Sequence, residues 1–246
     1  MLTLLEFLAS NDGGLRLSEI ASATNMNSSA VSRFLTTLKN CGYITQEENN
    51  KKYYLTYKLC RVANSKISRI NIIKSSHEYM KDISDKFNCP VYLSIEYGDK
   101  ILYVNALRPR IENEKDYSHV NFIESLYCTG AGKIFLANRT SAEIQDYLLK
   151  TPLEKRSEKT IISPLELLKE LREISAKGYA YDNEELTKGY MCIAVPIYDY
   201  SGRMACCISA QNPIELMTDE FKESLLLQLQ KSCEEISVSL GWIKQK

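Results

Sequence analysis

LRLSEIASATNMNSSAVSRFLTTLKNCGYITQEENNKKYYLTY, residues 15–57, reads as two short amphipathic helices, a polar turn and a basic hairpin. Ser18 is placed to cap a helix beginning Glu19-Ile20-Ala21, since its hydroxyl can accept from a free backbone N–H. Asn25 to Asn27 supply the polar turn, and Asn27 or Ser28 can cap the next helix, which runs to about Asn40. At about 100° per residue, Val31, Phe34, Leu35 and Leu38 form one buried stripe. Ser29, Ser32, Arg33 and Thr36 fall on the opposite side, where all four can hydrogen-bond to bases or phosphates. Ser28 stands at the helix start, where backbone N–H groups and the helix dipole favour a phosphate. Gly42 occupies the position of a left-handed cap. Tyr43-Ile44-Thr45 and Tyr53-Tyr54-Leu55 then read as two strands around the loop 46–52, with Lys51 and Lys52 near its tip, placed to meet the phosphate backbone. Helix, turn, helix, strand and basic hairpin in this order are a winged helix-turn-helix, whose second helix fits the DNA major groove.

The chain outside this stretch is long enough for a second domain, 246 residues in all. A hydrophobic fraction of 44% and a charged fraction of 25% place it among ordinary globular proteins and exclude a disordered or fibrous chain. The formal net charge is zero, yet residues 1–75 hold ten Lys/Arg against five Asp/Glu and the remainder 21 against 26. A basic front and an acidic back suit a module facing nucleic acid joined to one that does not. The opening MLTLLEFLAS has no basic n-region, contains Glu6 and is too short for a signal-peptide core or a span. Its Leu4, Leu5 and Leu8 read instead as a helix packed on a core, so a cytoplasmic protein without a membrane partner is expected. The eight cysteines (41, 60, 89, 128, 192, 206, 207 and 233) show no C-x-x-C spacing, and only two histidines accompany them. Buried reduced thiols are therefore expected, with no metal, disulfide framework or cofactor.

From Lys58 to Phe87 the apolar positions Ile67, Ile70, Ile73, Met80, Ile83 and Phe87 recur at helical steps without Gly or Pro, predicting a long connector helix, broken at most once, that ends at Cys89-Pro90. Residues 91–97 and 100–106 flank Gly98-Asp99 as a hairpin. Thr140 to Glu143 and Ser163 to Glu166 are spaced as capping boxes, the second with Pro164 at the first helical position and Gly178 closing its helix. Tyr179 to Asn183, Met191 to Tyr198 and Arg203 to Ala210 read as further strands, the last two joined by the turn Asp199–Gly202. Thr218 caps a final helix reaching Leu240, with Gly241 beyond it. Adjacent strands with short turns and flanking helices predict an α+β domain on a mainly antiparallel sheet. The expected domains are 1–58 for DNA binding, 59–74 as a helical linker and 75–246 for the rest.

Leu17-Ser-Glu-Ile-Ala21, Val31-Ser-Arg-Phe-Leu35 with Gly42-Tyr-Ile44, Leu126-Tyr-Cys-Thr-Gly-Ala-Gly-Lys133, Lys177-Gly-Tyr-Ala-Tyr-Asp182 and Gly189-Tyr-Met-Cys-Ile-Ala-Val-Pro196, followed by Gly202 and Ile208-Ser-Ala210, closely resemble the IclR family of bacterial regulators over essentially the whole chain. The resemblance implies a winged-helix reader joined to a GAF-like effector-binding domain, assembled as a homodimer or homotetramer. The leading arm common in the family is expected to be short or absent. It further implies an effector pocket in which Gly130 and Ala131 meet the ligand with backbone amides and Asp182, Cys192 and Ser209 supply polar groups. Tyr127 stands where a His is common, and Gln211 where a Ser is common in a Ser-x-Ser pair, so pocket volume and hydrogen bonding are expected to differ from the usual pattern. A small carboxylate or sugar acid suits the free N–H groups at the start of the helix opened by Thr129-Gly130-Ala131-Gly132.

Three other readings compete. Gly-Ala-Gly-Lys133 falls short of a phosphate loop, because Tyr127 occupies the first glycine position and Ile134 replaces the Ser/Thr. A cysteine-dependent enzyme would use Cys128 or Cys192 with His77 or His119, but no oxyanion-type motif accompanies them. A ligand sensor signalling through protein contacts conflicts with the basic exposed face of residues 28–52. The expectation is an allosteric transcription regulator: Ser28, Ser29, Ser32, Arg33 and Thr36 face a near-palindromic double-stranded operator, Lys51 and Lys52 clamp phosphates, and a bound effector shifts the balance between two states.

Overall fold

The computed structural model describes residues 2–11, 13–67, 72–109 and 120–243. Of the positions singled out above, Ile70 and His119 lie outside them. Backbone contacts divide the chain into two units, Met1–Ile70 and Asn71–Lys246.

The first unit comprises α1 (Leu2–Ala9), α2 (Leu17–Thr24), α3 (Ser28–Asn40), β1 (Ile44–Gln46), β2 (Tyr53–Leu55) and α4 (Lys58–Ile67). Leu4, Leu8, Ile20, Val31, Leu35, Leu38 and Ile44 form its core, the helical stripes expected from their spacing. Asn27 caps α3, its side chain accepting from the Ser29 amide at 2.8 Å. The helix ends in a Schellman motif: Tyr43 N–H donates to Leu38 O and Gly42 N–H to Lys39 O, both at 2.9 Å, with Gly42 at φ +74°. The start of α2 corrects the sequence reading. Its cap is Arg16, not Ser18, because the Glu19 carboxylate reaches back to accept the Arg16 amide at 2.6 Å and draws the helix two residues earlier. Pattern alone also missed a third strand contact, in which Leu15 pairs with Tyr53 through mutual backbone bonds of 3.1 and 2.8 Å.

The second unit is built on a six-stranded sheet of order β5-β4-β3-β8-β7-β6, in which every neighbouring pair is antiparallel. Its strands are β3 (Val91–Tyr97), β4 (Lys100–Leu107), β5 (Ile123–Ser125), β6 (Ala180–Asn183), β7 (Tyr190–Tyr198) and β8 (Met204–Pro213). The short β5 carried no sequence signal. Helices α5 (Ile72–Phe87) and α9 (Asp219–Ser239) pack on the sheet and on each other, while α6 (Gly130–Ala137) packs on the sheet and on α8 (Pro164–Lys177). Helix α7 (Ser141–Lys150) begins with a complete capping box: Thr140 Oγ1 accepts the Glu143 amide and the Glu143 carboxylate accepts the Thr140 amide. At α8 only the Ser163 half is present, a single long bond of 3.5 Å to the Glu166 amide, so the second expected box is a simple cap. Ile73 departs from expectation as well. It is 39% exposed at the first turn of α5, beyond the buried stripe of Ser76, Met80, Ile83, Ser84 and Phe87.

Cys41 and Cys60 are exposed and Cys192 is half-buried; the other five cysteines are buried, and all eight are free thiols. No described helix is long and apolar enough to cross a membrane.

Helix α6 approaches its neighbours more closely than a side chain allows. A Cβ on Gly132 would lie 2.4 Å from Leu126 O and 2.5 Å from Thr129 Oγ1. Gly132→Ala is therefore expected to destabilise the second unit by about 1–3 kcal/mol through overpacking, read as a lower urea midpoint of the transition that reports this unit. An unchanged midpoint would show that α6 can move outward at no cost.

Candidate nucleic-acid interface and effector site

The exposed face of α3 carries Ser28, Ser29, Ser32, Arg33 and Thr36, all on the surface of the first unit. Val31, Leu35 and Leu38 lock the opposite face into the core, so the polar side chains sit on an element that cannot roll. Their hydrogen-bonding capacity differs. The Thr36 hydroxyl already donates to Ser32 O at 2.9 Å, leaving it as an acceptor toward a ligand. In the wing, Lys51 is exposed in a left-handed conformation (φ +58°). Lys52 is only half-exposed, and its ammonium donates to Gly13 O at 3.0 Å. The sequence pattern gave no sign of the part played by Lys58: its ammonium donates to Cys41 O at 2.6 Å and lies 4.9 Å from the centre of the Tyr43 ring, closing the C-terminal end of α3.

In the second unit the register brings the polar candidates together. Asp182, Cys192 and Gln211 stand opposite one another across β6, β7 and β8. One row along, Ala180, Ala194, Ser209 and Tyr92 do the same. Residues two apart on a strand share a face, so all four polar candidates lie on one side of the sheet. Helix α6 begins on that side. A Cβ on Gly130 would meet Ala194 Cβ at 3.2 Å and the Asp182 amide nitrogen at 3.5 Å. Thr129 caps the helix, accepting from the Gly132 amide at 3.0 Å and donating to Ser125 O at 3.0 Å. The amides of Gly130 and Ala131 carry no hydrogen bond among the described residues, as expected of a first helical turn.

A cavity of about 150 Å³ opens beside this face, lined by Tyr92, Tyr103, Glu124, Arg156, Thr187 and Gln211 among others. Of the residues proposed from sequence only Gln211 lines it. The others were invisible in the linear pattern, since they come from five separate segments. A larger groove of about 360 Å³, between the end of α8, β7 and α9, holds none of the candidates. Tyr127 is buried and donates to Glu154 O at 2.8 Å, so its hydroxyl anchors the loop after α7.

Beneath the face lies a charge cluster. Lys133 is wholly buried, its ammonium 3.1 Å from Glu170 and 2.5 Å from Glu185. A buried ammonium without such partners would be strongly destabilising. Asp182, itself buried, accepts from the amides of Glu185 at 2.7 Å and Leu186 at 3.3 Å, so it caps the turn that presents Glu185. Burial, followed by the adjacent Glu185 carboxylate, pushes the Asp182 carboxyl up to about 7. Burial raises Glu185 as well, against the pull of Lys133. The Cys192 thiol donates to Ile193 O at 3.9 Å, and burial and the Asp182 carboxylate push its pKa up. Burial likewise raises the Cys128 thiol to about 12, and His77 is exposed on α5. A protonated, buried thiol is not a nucleophile.

Two family models match the chain: "IclR helix-turn-helix domain" over residues 1–48 and "Bacterial transcriptional regulator IclR C-terminal" over residues 64–238. The HTH-type transcriptional regulator KdgR of Escherichia coli is 30% identical over 226 residues, covering 92% of this chain and 86% of the relative. The transcriptional repressor IclR of Escherichia coli is 23% identical over 99% of this chain and 89% of its own length. Among solved structures, the Thermotoga maritima IclR crystal structure superposes with a TM-score of 0.65 at 30% identity, covering 98% of this chain and 97% of that one.

The raised Asp182 carboxyl makes stability depend on pH. A carboxyl whose folded value lies near 7, above its ordinary 3.8, binds more protons in the native than in the unfolded state between those values. Its contribution is then fully present below about pH 4 and lost as pH rises through 7. Glu185 shifts in the same direction, so Asp182 accounts for part of that loss. Asp182→Asn, which keeps the acceptor for both turn amides, is expected to flatten the fall in Tm between pH 5 and 8. An identical pH profile in the variant would contradict the buried ionisation.

Proposed function

We propose that this chain, which belongs to the IclR family of bacterial transcriptional regulators, couples a small organic acid bound in its second unit to operator binding by its first. It is a transcriptional regulator and not an enzyme, with a helix-turn-helix DNA-binding domain and a C-terminal ligand-binding domain. The domain assignment is 1–58 for the reader, 59–74 for the linker and 75–246 for the sensor. In the reader, Arg33 contacts base edges from the exposed face of α3, beside Ser28, Ser29, Ser32 and Thr36, and Lys51 and Lys52 meet phosphates from the wing. Two copies related by a two-fold axis, as a homodimer or within a homotetramer, would read a near-palindromic site.

The observation that carries the sensor half is the pair of unused amides at Gly130 and Ala131, opening a helix above the row Asp182, Cys192 and Gln211 with Ser209 beside it. Backbone N–H groups at a helix start favour an anion, and the neighbouring polar side chains can orient the rest of a small carboxylate or sugar acid. Binding would control transcription only through unequal affinity for the two states of the protein. A cytoplasmic location accords with this role.

Arg33→Ala is expected to weaken binding to an operator recovered by in-vitro selection by about 1–3 kcal/mol and to relax base preference at one position; equal losses on selected and random duplexes would limit Arg33 to phosphate contact. For the sensor, a thermal-shift panel of pyruvate, glyoxylate, gluconate and succinate against the full chain should contain at least one acid that raises Tm, since a ligand of the native state stabilises it. Asp182→Ala should abolish that rise. No shift with any of the four acids would argue against the carboxylate assignment.

A further inference from the structure

We propose that Arg16 is a DNA-phosphate contact that at the same time holds the wing in place. The turn before α2 and the wing exchange cations. Arg16 Nε donates to Asn50 O at 3.2 Å, and in return Lys52 Nζ donates to Gly13 O at 3.0 Å. The Leu15–Tyr53 backbone pair lies between these two straps. The wing is thereby fixed to the start of the first helix of the helix-turn-helix, two regions far apart in sequence.

The remaining valence of Arg16 points to an anion. Its side chain is exposed, and beyond Nε the guanidinium makes no hydrogen bond or ion pair among the described residues. Two acids among the described residues are otherwise engaged: Glu19 takes the Arg16 backbone amide at 2.6 Å, and Glu47 takes the Asn50 side-chain amide at 2.5 Å. A guanidinium can satisfy a carbonyl with one edge and present the other to a phosphate, which an ammonium cannot do with the same geometry. The location is apt, since the first helix of a helix-turn-helix crosses the sugar–phosphate backbone. Arg16 also stands at the N-cap of α2, where free amides already favour a phosphate. Arg16, Lys51 and Lys52 thus make one cationic ledge where the wing meets α2.

This rests on the DNA-facing role of the first unit, and the test separates the two. Full-length protein is titrated against a fluorescent duplex of arbitrary sequence by anisotropy, from about 50 to 200 mM salt. Removing one cation that neutralises a phosphate should reduce the slope of log K against log salt by about 0.9. Arg16→Ala and Arg16→Gln should each show that reduction. Gln keeps an amide donor for Asn50 O, so the comparison survives if the alanine variant folds poorly. Arg16→Lys should retain the slope yet bind more weakly, because its single ammonium cannot serve carbonyl and phosphate together. Slopes unchanged in both neutral variants would overturn the assignment of Arg16. If wild-type binding did not fall with salt at all, the DNA-facing reading of the unit would go, and Arg16 with it.

Discussion

Helix α6 meets its surroundings with backbone rather than side chains, and the second unit is arranged around that contact. Gly132 leaves no room for a methyl group against Leu126, and Gly130 fits narrowly against β6 and β7. Close approach sets the first-turn amides beside Asp182 and above the row that continues through Cys192 to Gln211. It also has a cost: one residue further on, Lys133 is carried into the interior. Its ammonium is tolerable there because α8 supplies Glu170 and the turn after β6 supplies Glu185. Asp182 caps that turn, so a candidate ligand contact and the counter-charge of Lys133 belong to the same few residues. Perturbing either should be felt by the other.

The first unit is held by a different kind of contact. Its core is small and aliphatic, and its recognition face is polar, so orientation depends on bonds at the edges. The Schellman turn at Gly42, the Lys58 bond to Cys41 O and the straps between the loop before α2 and the wing all fix the ends of elements whose middles are fixed by packing. Most are bonds from side chains to backbone carbonyls. Such bonds tolerate changes of partner residue but not of the donor that makes them.

Much of the fold was legible because its signals are local. The α3 stripe, the turn at Gly98-Asp99, the caps at Thr140 and Thr218 and the left-handed glycines at 42 and 178 each follow from a few adjacent residues. Failures occur where a side chain answers to something distant or to a stronger local rival. Ser18 gave up the cap because Glu19 could reach the Arg16 amide. The three-residue β5 exists only because β4 offers it an edge. For the sensor, the family pattern brought Gly130, Ala131, Asp182, Cys192, Ser209 and Gln211 to attention, and strand register aligns its polar members on one face. The cavity-lining Tyr92, Tyr103, Glu124 and Arg156 had no such signal, since their convergence is purely tertiary. Lys133 could have been noticed: a single cation within the apolar run Gly-Ala-Gly-Lys-Ile-Phe-Leu-Ala requires buried carboxylates somewhere.

The partition of thiols has a practical side. Burial pushes Cys89, Cys128 and Cys206 up to about 12, and Cys207 and Cys233 well above the ordinary thiol range. At neutral pH these sulfurs are protonated and shielded, hence inert toward electrophiles. The two exposed thiols, Cys41 and Cys60, both belong to the unit that reads DNA, and the carbonyl of Cys41 is the one held by Lys58 at the end of α3. A fluorophore or spin label added to the native protein would therefore go to the first unit, at Cys41 and Cys60, so the wild-type chain already carries attachment points for watching the reader while the sensor is titrated.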